Sequence, residues 1–242
     1  STTVLSTTMT DQNGAFGDVA VTIPATATGG LHTVGGLGGT SGGFATAGYT
    51  VQPMLGTDPD NGAPGTTVTI SGTGYTPFDT VSLYWDCASA SVCGGGGSYA
   101  AARQRGASRV QQASASPILL TSVTADANGQ FTDLSVAVPN PAPAGIHAIG
   151  GAGFGGSNDF ATTPFTITPA LGIVPASGPA GSAAQVSGLG YGASEQVTLT
   201  WDCAAITCTS TTSLGSVVTD PNGQFINVPV TIPVSSPGSY SI

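Results

Sequence analysis

The chain has no lysine, and only 6% of its 242 residues are charged. Three arginines stand against twelve acidic residues, for a net charge of −9. Such a surface repels a nucleic-acid backbone, which excludes DNA and RNA as partners. No apolar run reaches the roughly 20 residues that span a bilayer, so no membrane-spanning segment is read. No Asn-x-Ser/Thr triplet occurs, which closes the usual route to N-linked sugar. Runs of helix-forming residues are also rare, and this argues against a helical fold.

Glycine, proline, serine and threonine take the place of charge. The 37 Gly and 17 Pro make turns dense. The remainder is rich in Val and Thr, which favour strands. Gly keeps no three-residue period, so collagen is excluded. Hydrophobic residues make up 40% of the chain and alternate cleanly, so disorder is excluded as well.

The central stretch is Val81-Ser82-Leu83-Tyr84-Trp85-Asp86-Cys87, and it recurs as Val197-Thr198-Leu199-Thr200-Trp201-Asp202-Cys203. Val, Leu and Trp fall on one side of a strict alternation, the signature of a half-buried strand. The copies lie about 116 residues apart, the size of one sandwich domain. Trp85 and Trp201 are therefore expected in the core, where an indole buries the most apolar area. A second cysteine follows each strand: Cys93 after Cys87, and Cys208 after Cys203. Two close pairs at equivalent places favour the disulfides Cys87–Cys93 and Cys203–Cys208, and an oxidising compartment. A zinc site is the rival, but its ligand pairs would sit in different domains at unusual spacing.

Asp-x-Asn-Gly occurs three times, at 11–14, 126–129 and 220–223, each with Phe two residues beyond the Gly. Asn-Gly between alternating runs predicts a hairpin. Strands are predicted after each turn, at Val19–Pro24, Leu134–Pro139 and Val228–Pro233. Gly30-Leu31-His32 and Gly145-Ile146-His147 begin a further strand. Gly-rich loops then lead to Phe44–Val51 and Phe160–Thr168. The next repeat opens after Pro53 or Pro169, with 67–75 or 183–191 as its first paired strand. The expected fold is all-β, built of tandem immunoglobulin-like β-sandwich repeats of about seven strands each. The expected divisions are 1–51, the C-terminal part of a repeat; 52–168, a complete repeat; and 169–242, a repeat lacking its last strand.

The string at 64–75, the Trp strand, the Asp-x-Asn-Gly-x-Phe turn and the Gly-Ile-His strand together resemble the tandem Ig-like repeats of secreted bacterial and archaeal surface proteins. That resemblance implies an extracellular stalk, adhesin or coat component at a cell surface.

No reactive constellation is visible, so no enzyme is expected. Gly39-Thr40-Ser41-Gly42-Gly43 fits a hydrolase pattern, but no strand-turn-helix context surrounds it. Gly151–Gly156 fits a dinucleotide pattern without a following helix. His32 and His147 stand at equivalent repeat positions, which suits a structural role on a strand. Asp86 and Asp202 are expected to cap loops. Calcium is the one cofactor with candidate ligands, at Asp58, Asp60 and Asn61 and in the Asp-x-Asn-Gly turns. None completes an EF-hand loop, so turn chemistry is favoured and no cofactor is expected. All three arginines, Arg103, Arg105 and Arg109, lie in an insertion at 94–116, where they are expected to contact an acidic neighbour.

The function read from these features is structural: a filament, stalk or coat of head-to-tail domains. The alternative is an adhesin that binds glycan or protein through its loops. Expected partners are copies of the chain, or further repeats in a linear array, and a surface glycan. Residues 1–51 hold only the later strands of a sandwich, and 169–242 lack the last one. Either further repeats or a neighbouring copy is expected to complete them.

Overall fold

The computed structural model describes residues 3–93, 116–154, 159–203, 212–236 and 238–242. The chain is all-β, with one short helix among the described residues. In the middle repeat the strands are β3 (Met54–Asp58), β4 (Asn61–Gly62), β5 (Thr67–Thr73) and β6 (Thr80–Trp85), then β7 (Ile118–Thr124), β8 (Phe131–Ala137), β9 (Gly145–Gly153) and β10 (Phe160–Ile167). They form a sandwich of two sheets, β3-β5-β8 and β4-β10-β9-β6-β7. All pairs are antiparallel except β4 with β10.

The alternation read from the sequence sets the core. Val68, Ile70, Val81, Leu83, Trp85, Val136 and Val138 are buried, and Leu134 packs against them. Tyr75, Phe131, Ile149, Phe165 and Ile167 complete the cluster.

Three expectations are corrected here. First, the opening paired strand of each repeat is not 67–75 or 183–191 but β3 and its counterpart β11 (Ala170–Val174). Each has only five residues, interrupted by Gly56 or Gly172, which hides the alternation. Second, the Asn-Gly turns do not close hairpins. β7 pairs with β6 and β8 with β5, so the turn at 126–129 carries the chain from one sheet to the other. Third, Val19–Pro24 is not a strand. Its counterpart β8 pairs with β5, and the described part of the first repeat holds no β5. Without a partner strand, residues 19–23 join no ladder among the described residues, and Val21 stands exposed.

Among the described residues the first repeat therefore has only β1 (Gly30–Leu37) and β2 (Phe44–Val51), a two-stranded sheet. The third has β11, β12 (Ala183–Leu189) and β15 (Phe225–Thr231) in one sheet, and β13 (Gln196–Thr200) with β14 (Ser213–Val218) in the other. Its core is smaller: Ala184, Val186, Val197, Leu199, Phe225 and Val230.

Candidate functional site

The Trp strand and the Gly-Ile-His strand meet in one cluster. β6 pairs with β9, which places Trp85 opposite Ile149 and brings His147 alongside. The two rings stack, with centroids 4.7 Å apart and planes at 20°. Phe165 meets the indole edge-on at 5.8 Å. His147 Nδ1 lies 2.7 Å from Asp86 Oδ1, and Nε2 lies 2.9 Å from the Pro143 carbonyl. Burial pushes the His147 pKa down. The Asp86 hydrogen bond, the Pro143 carbonyl and the Asp86 charge outweigh it, and the net shift is upward. The sequence predicts a loop cap at Asp86; its carboxylate instead holds His147. Its backbone is left-handed at φ 58°, which turns the carboxylate toward β9.

Beyond Asp86 the chain runs through α1 (Ala90–Cys93), and Cys87 is joined to Cys93 with Cα atoms 5.6 Å apart. Cys203 is also disulfide-bonded. Cys208 lies outside the described residues, as do Arg103, Arg105 and Arg109 with the arginine insertion.

A second site is the join between successive repeats, and it is built twice. The Gly29 amide of the first repeat donates to the Tyr75 carbonyl of the middle one, at 3.0 Å. At the next join the Ala144 amide donates to the Tyr191 carbonyl, at 2.8 Å. Each tyrosine amide in turn donates to a turn glycine of its own repeat: Tyr75 to Gly129 and Tyr191 to Gly223, both at 3.0 Å. Those glycines belong to the Asp-x-Asn-Gly turns. Gly129 has φ +70°, and a Cβ there would collide with the Tyr75 carbonyl. Gly223 repeats this against Tyr191. The turn therefore needs glycine both for its backbone and to let the tyrosine approach.

The turn aspartates act on their own loops. Asp126 Oδ1 accepts the amides of Asn128 and Gln130 at 2.8 and 2.9 Å. Asp11 and Asp220 do the same in their copies. At Asp11 these amides draw the pKa down. At Asp220 burial pushes the pKa up, but the hydrogen bonds from Gln224 and Asn222 bring it below the usual value. Asp58, Asp60 and Asn61 lie exposed where the chain passes between sheets, and Asn61 Nδ2 donates to Asp60 Oδ1 at 2.8 Å. No group of three or more His, Cys, Asp or Glu able to hold a metal occurs among the described residues.

Trp201 differs from Trp85. It is only half-buried, which corrects its expected place in the core. Trp85 is covered by β9 and β10, and the described third repeat has no counterpart of β10. Tyr240 lies at the position of His147, with ring centroids 5.0 Å from Trp201. An open cleft of about 740 Å3 remains beside it, lined by Leu171, Ile173, Val186, Trp201 and Ile232 among others.

A further concavity was not legible in the sequence. Phe78 and Phe154, both more than half exposed, flank Asp79 in a shallow depression. Asp79 is buried, and its Oδ2 has no hydrogen-bond partner among the described residues.

These features define an all-β protein of sandwich repeats joined end to end by a repeated contact. No protein-family model and no curated protein matches the chain. Similar solved structures include a tetra-tandem repeat in the extending region of a large adhesion protein, at TM-score 0.36 and 14% identity over 90% of this chain. The chain spans 52% of that structure. Salmonella alpha-2-macroglobulin reacted with methylamine is similar at TM-score 0.27 and 15% identity, over 88% of this chain and 14% of that one. Murine CEACAM1b is similar at 0.24 and 11%, over 76% and 86%. No helix among the described residues is long and apolar enough to cross a membrane.

Proposed function

We propose that the chain is a non-enzymatic structural protein of a prokaryotic cell surface, a segment of a filament, stalk or coat made of sandwich repeats in linear array. The observation that carries this reading is the repeated join. The same amide-to-carbonyl bond, onto the equivalent tyrosine of the next repeat, links the first repeat to the middle one and the middle one to the third. A contact that recurs with one geometry propagates as an open linear array. The Cys87–Cys93 disulfide suits an oxidising, extracellular location. No metal or organic cofactor is required for such a role.

Electron microscopy of the native material tests this reading. Beaded fibres with a regular axial repeat support it. Isolated compact particles overturn it.

A second reading, an adhesin for surface glycan, is favoured by the Phe78/Phe154 depression. Two exposed rings flanking one depression offer stacking to a sugar ring. Glycan-array binding abolished by Phe78→Ala supports it. An array without signal removes it.

A further inference from the structure

Two acidic side chains are buried together at one end of the middle repeat. Asp79 immediately precedes β6, and Asp159 immediately precedes β10. They are only 5% and 8% exposed. β9 lies between these strands and brings Gly153 to the same end, opposite Val81, where its amide donates to the Asp159 carbonyl at 2.8 Å. A Cβ on Gly153 would collide with Asp79 Oδ2 and stand 3.1 Å from Asp159 Cβ. The buried oxygen of one acid therefore lies beside the side chain of the other, and the glycine lets them approach.

The two acids are not equally satisfied. Asp159 Oδ2 accepts the Thr76 amide and the Thr76 hydroxyl, both at 2.7 Å. Asp79 Oδ2 is shut off from solvent with no hydrogen-bond partner among the described residues. A charged oxygen so placed is costly unless a group of opposite charge meets it. The described residues include no Lys or Arg. All three arginines lie in the insertion after Cys93. That insertion rejoins the fold at Ile118, which pairs with Trp85 at the far end of β6. Thr80 and Trp85 stand about 17 Å apart along the strand. His147 is already held by Asp86.

The third repeat shows that the loop itself does not require a buried acid. Glu195 is the counterpart of Asp79: the Thr219 amide donates to its carbonyl, as the Ala125 amide donates to that of Asp79. Yet Glu195 is exposed, and its Oε2 accepts the Gly192 amide at 2.7 Å. In the first repeat, the register of β1 with β2 places Gly43 where the middle repeat has Asp159. Among the described residues, only the middle repeat holds both acids.

We propose that Asp79 and Asp159 bind a hard divalent cation, calcium, at the edge of the Phe78/Phe154 depression. Asp79 lines that depression, which gives the ion its path in. Two carboxylates balance the charge of one divalent ion. Calcium takes hard oxygen ligands in flexible geometry, and water completes its shell. No third acid, histidine or cysteine joins the pair among the described residues, so the site is a weak one, with an expected Kd of about 0.1–1 mM. The bound ion ties the loop before β6 to the start of β10. It is separate from Asp58, Asp60 and Asn61, which lie exposed and hydrogen-bond among themselves.

The test is calorimetric titration of the full chain with calcium chloride, together with hydrogen exchange in calcium and in chelator. The expected result is one calcium per chain at that affinity, with exchange slowed by calcium at residues 76–80 and 160–162. Asp79→Asn and Asp159→Asn keep the side-chain shape, and each should weaken binding about tenfold or more. Asp60→Asn should leave binding unchanged. If either buried variant fails to fold, the exchange pattern of the parent chain still locates the ion. A chain that binds no calcium at millimolar concentration overturns the proposal. So does binding that survives Asp79→Asn, binding lost in Asp60→Asn, or calcium that slows exchange elsewhere but not at 76–80.

Discussion

The imidazole of His147 stacks on the indole of Trp85, with centroids 4.7 Å apart, while its Nδ1 faces Asp86 at 2.7 Å. One side chain thereby ties β9 to the central strand through an apolar face and a charged edge. Among the described residues, Asp86 is its only ionic partner.

The first prediction is a pH dependence. The folded His147 has a raised pKa, so the proton is bound more tightly in the folded state. Its stabilising contribution is fully present below the unfolded value, about 6.5, and is lost as pH rises through the folded value. The melting midpoint of the middle repeat should therefore fall as pH rises above neutral. Asp86→Asn should flatten that slope. An unchanged slope in Asp86→Asn would show that another group sets it.

The two tryptophans should differ in cost. Trp85 is 2% exposed, and truncation to Ala should destabilise by about 3–5 kcal/mol. Trp201 is half-buried and borders a cleft, so the same change should cost only about 1–2 kcal/mol. Denaturant unfolding of each variant measures both. Equal losses would mean that Trp201 is covered as Trp85 is.

Gly129→Ala and Gly14→Ala separate the turn from the join. Both glycines have positive φ, but a Cβ at Gly14 meets nothing within 4 Å. At Gly129 it meets the Tyr75 carbonyl, which also accepts the bond from Gly29. Left-handed backbone alone costs an alanine about 1–2 kcal/mol. Calorimetry should show a larger loss for Gly129→Ala, together with protease sensitivity near residues 24–30. Equal effects would remove the tyrosine from the join.

Reduction of Cys87–Cys93 should be felt locally. The closed loop is short, so loop entropy accounts for about 2 kcal/mol. With reductant the melt should shift down modestly and stay cooperative, while Trp85 remains buried by fluorescence. Collapse of the whole middle repeat would show that the bond holds the core.

Much of the fold is legible in the sequence because period-2 alternation marks strands that bury one face. β2 begins and ends where Phe44 and Val51 suggest, and Val68, Ile70, Leu83 and Trp85 lie inside. The failures have a common cause: pairing is not local. Val19–Ile23 alternates as well as its counterparts, yet it forms no strand where its partner is missing. The Asn-Gly turn has hairpin chemistry, yet β7 and β8 are claimed by different sheets. The site was half legible. Asp86 and His147 each stood out as repeat positions, but 61 positions separate them, and only the β6–β9 register brings them together. The join was hidden further, since it is made by backbone groups of Gly29, Tyr75, Ala144 and Tyr191, which composition does not mark.

Residue-resolved hydrogen exchange on the dilute, monomeric chain tests most directly whether a repeat folds only where its partner strands are supplied. Amides of β5, β6, β8 and β9 should be strongly protected, and those of 19–23 should exchange near the unfolded rate. Protection of 19–23 matching that of β8, in a monomer, would refute the dependence on supplied strands.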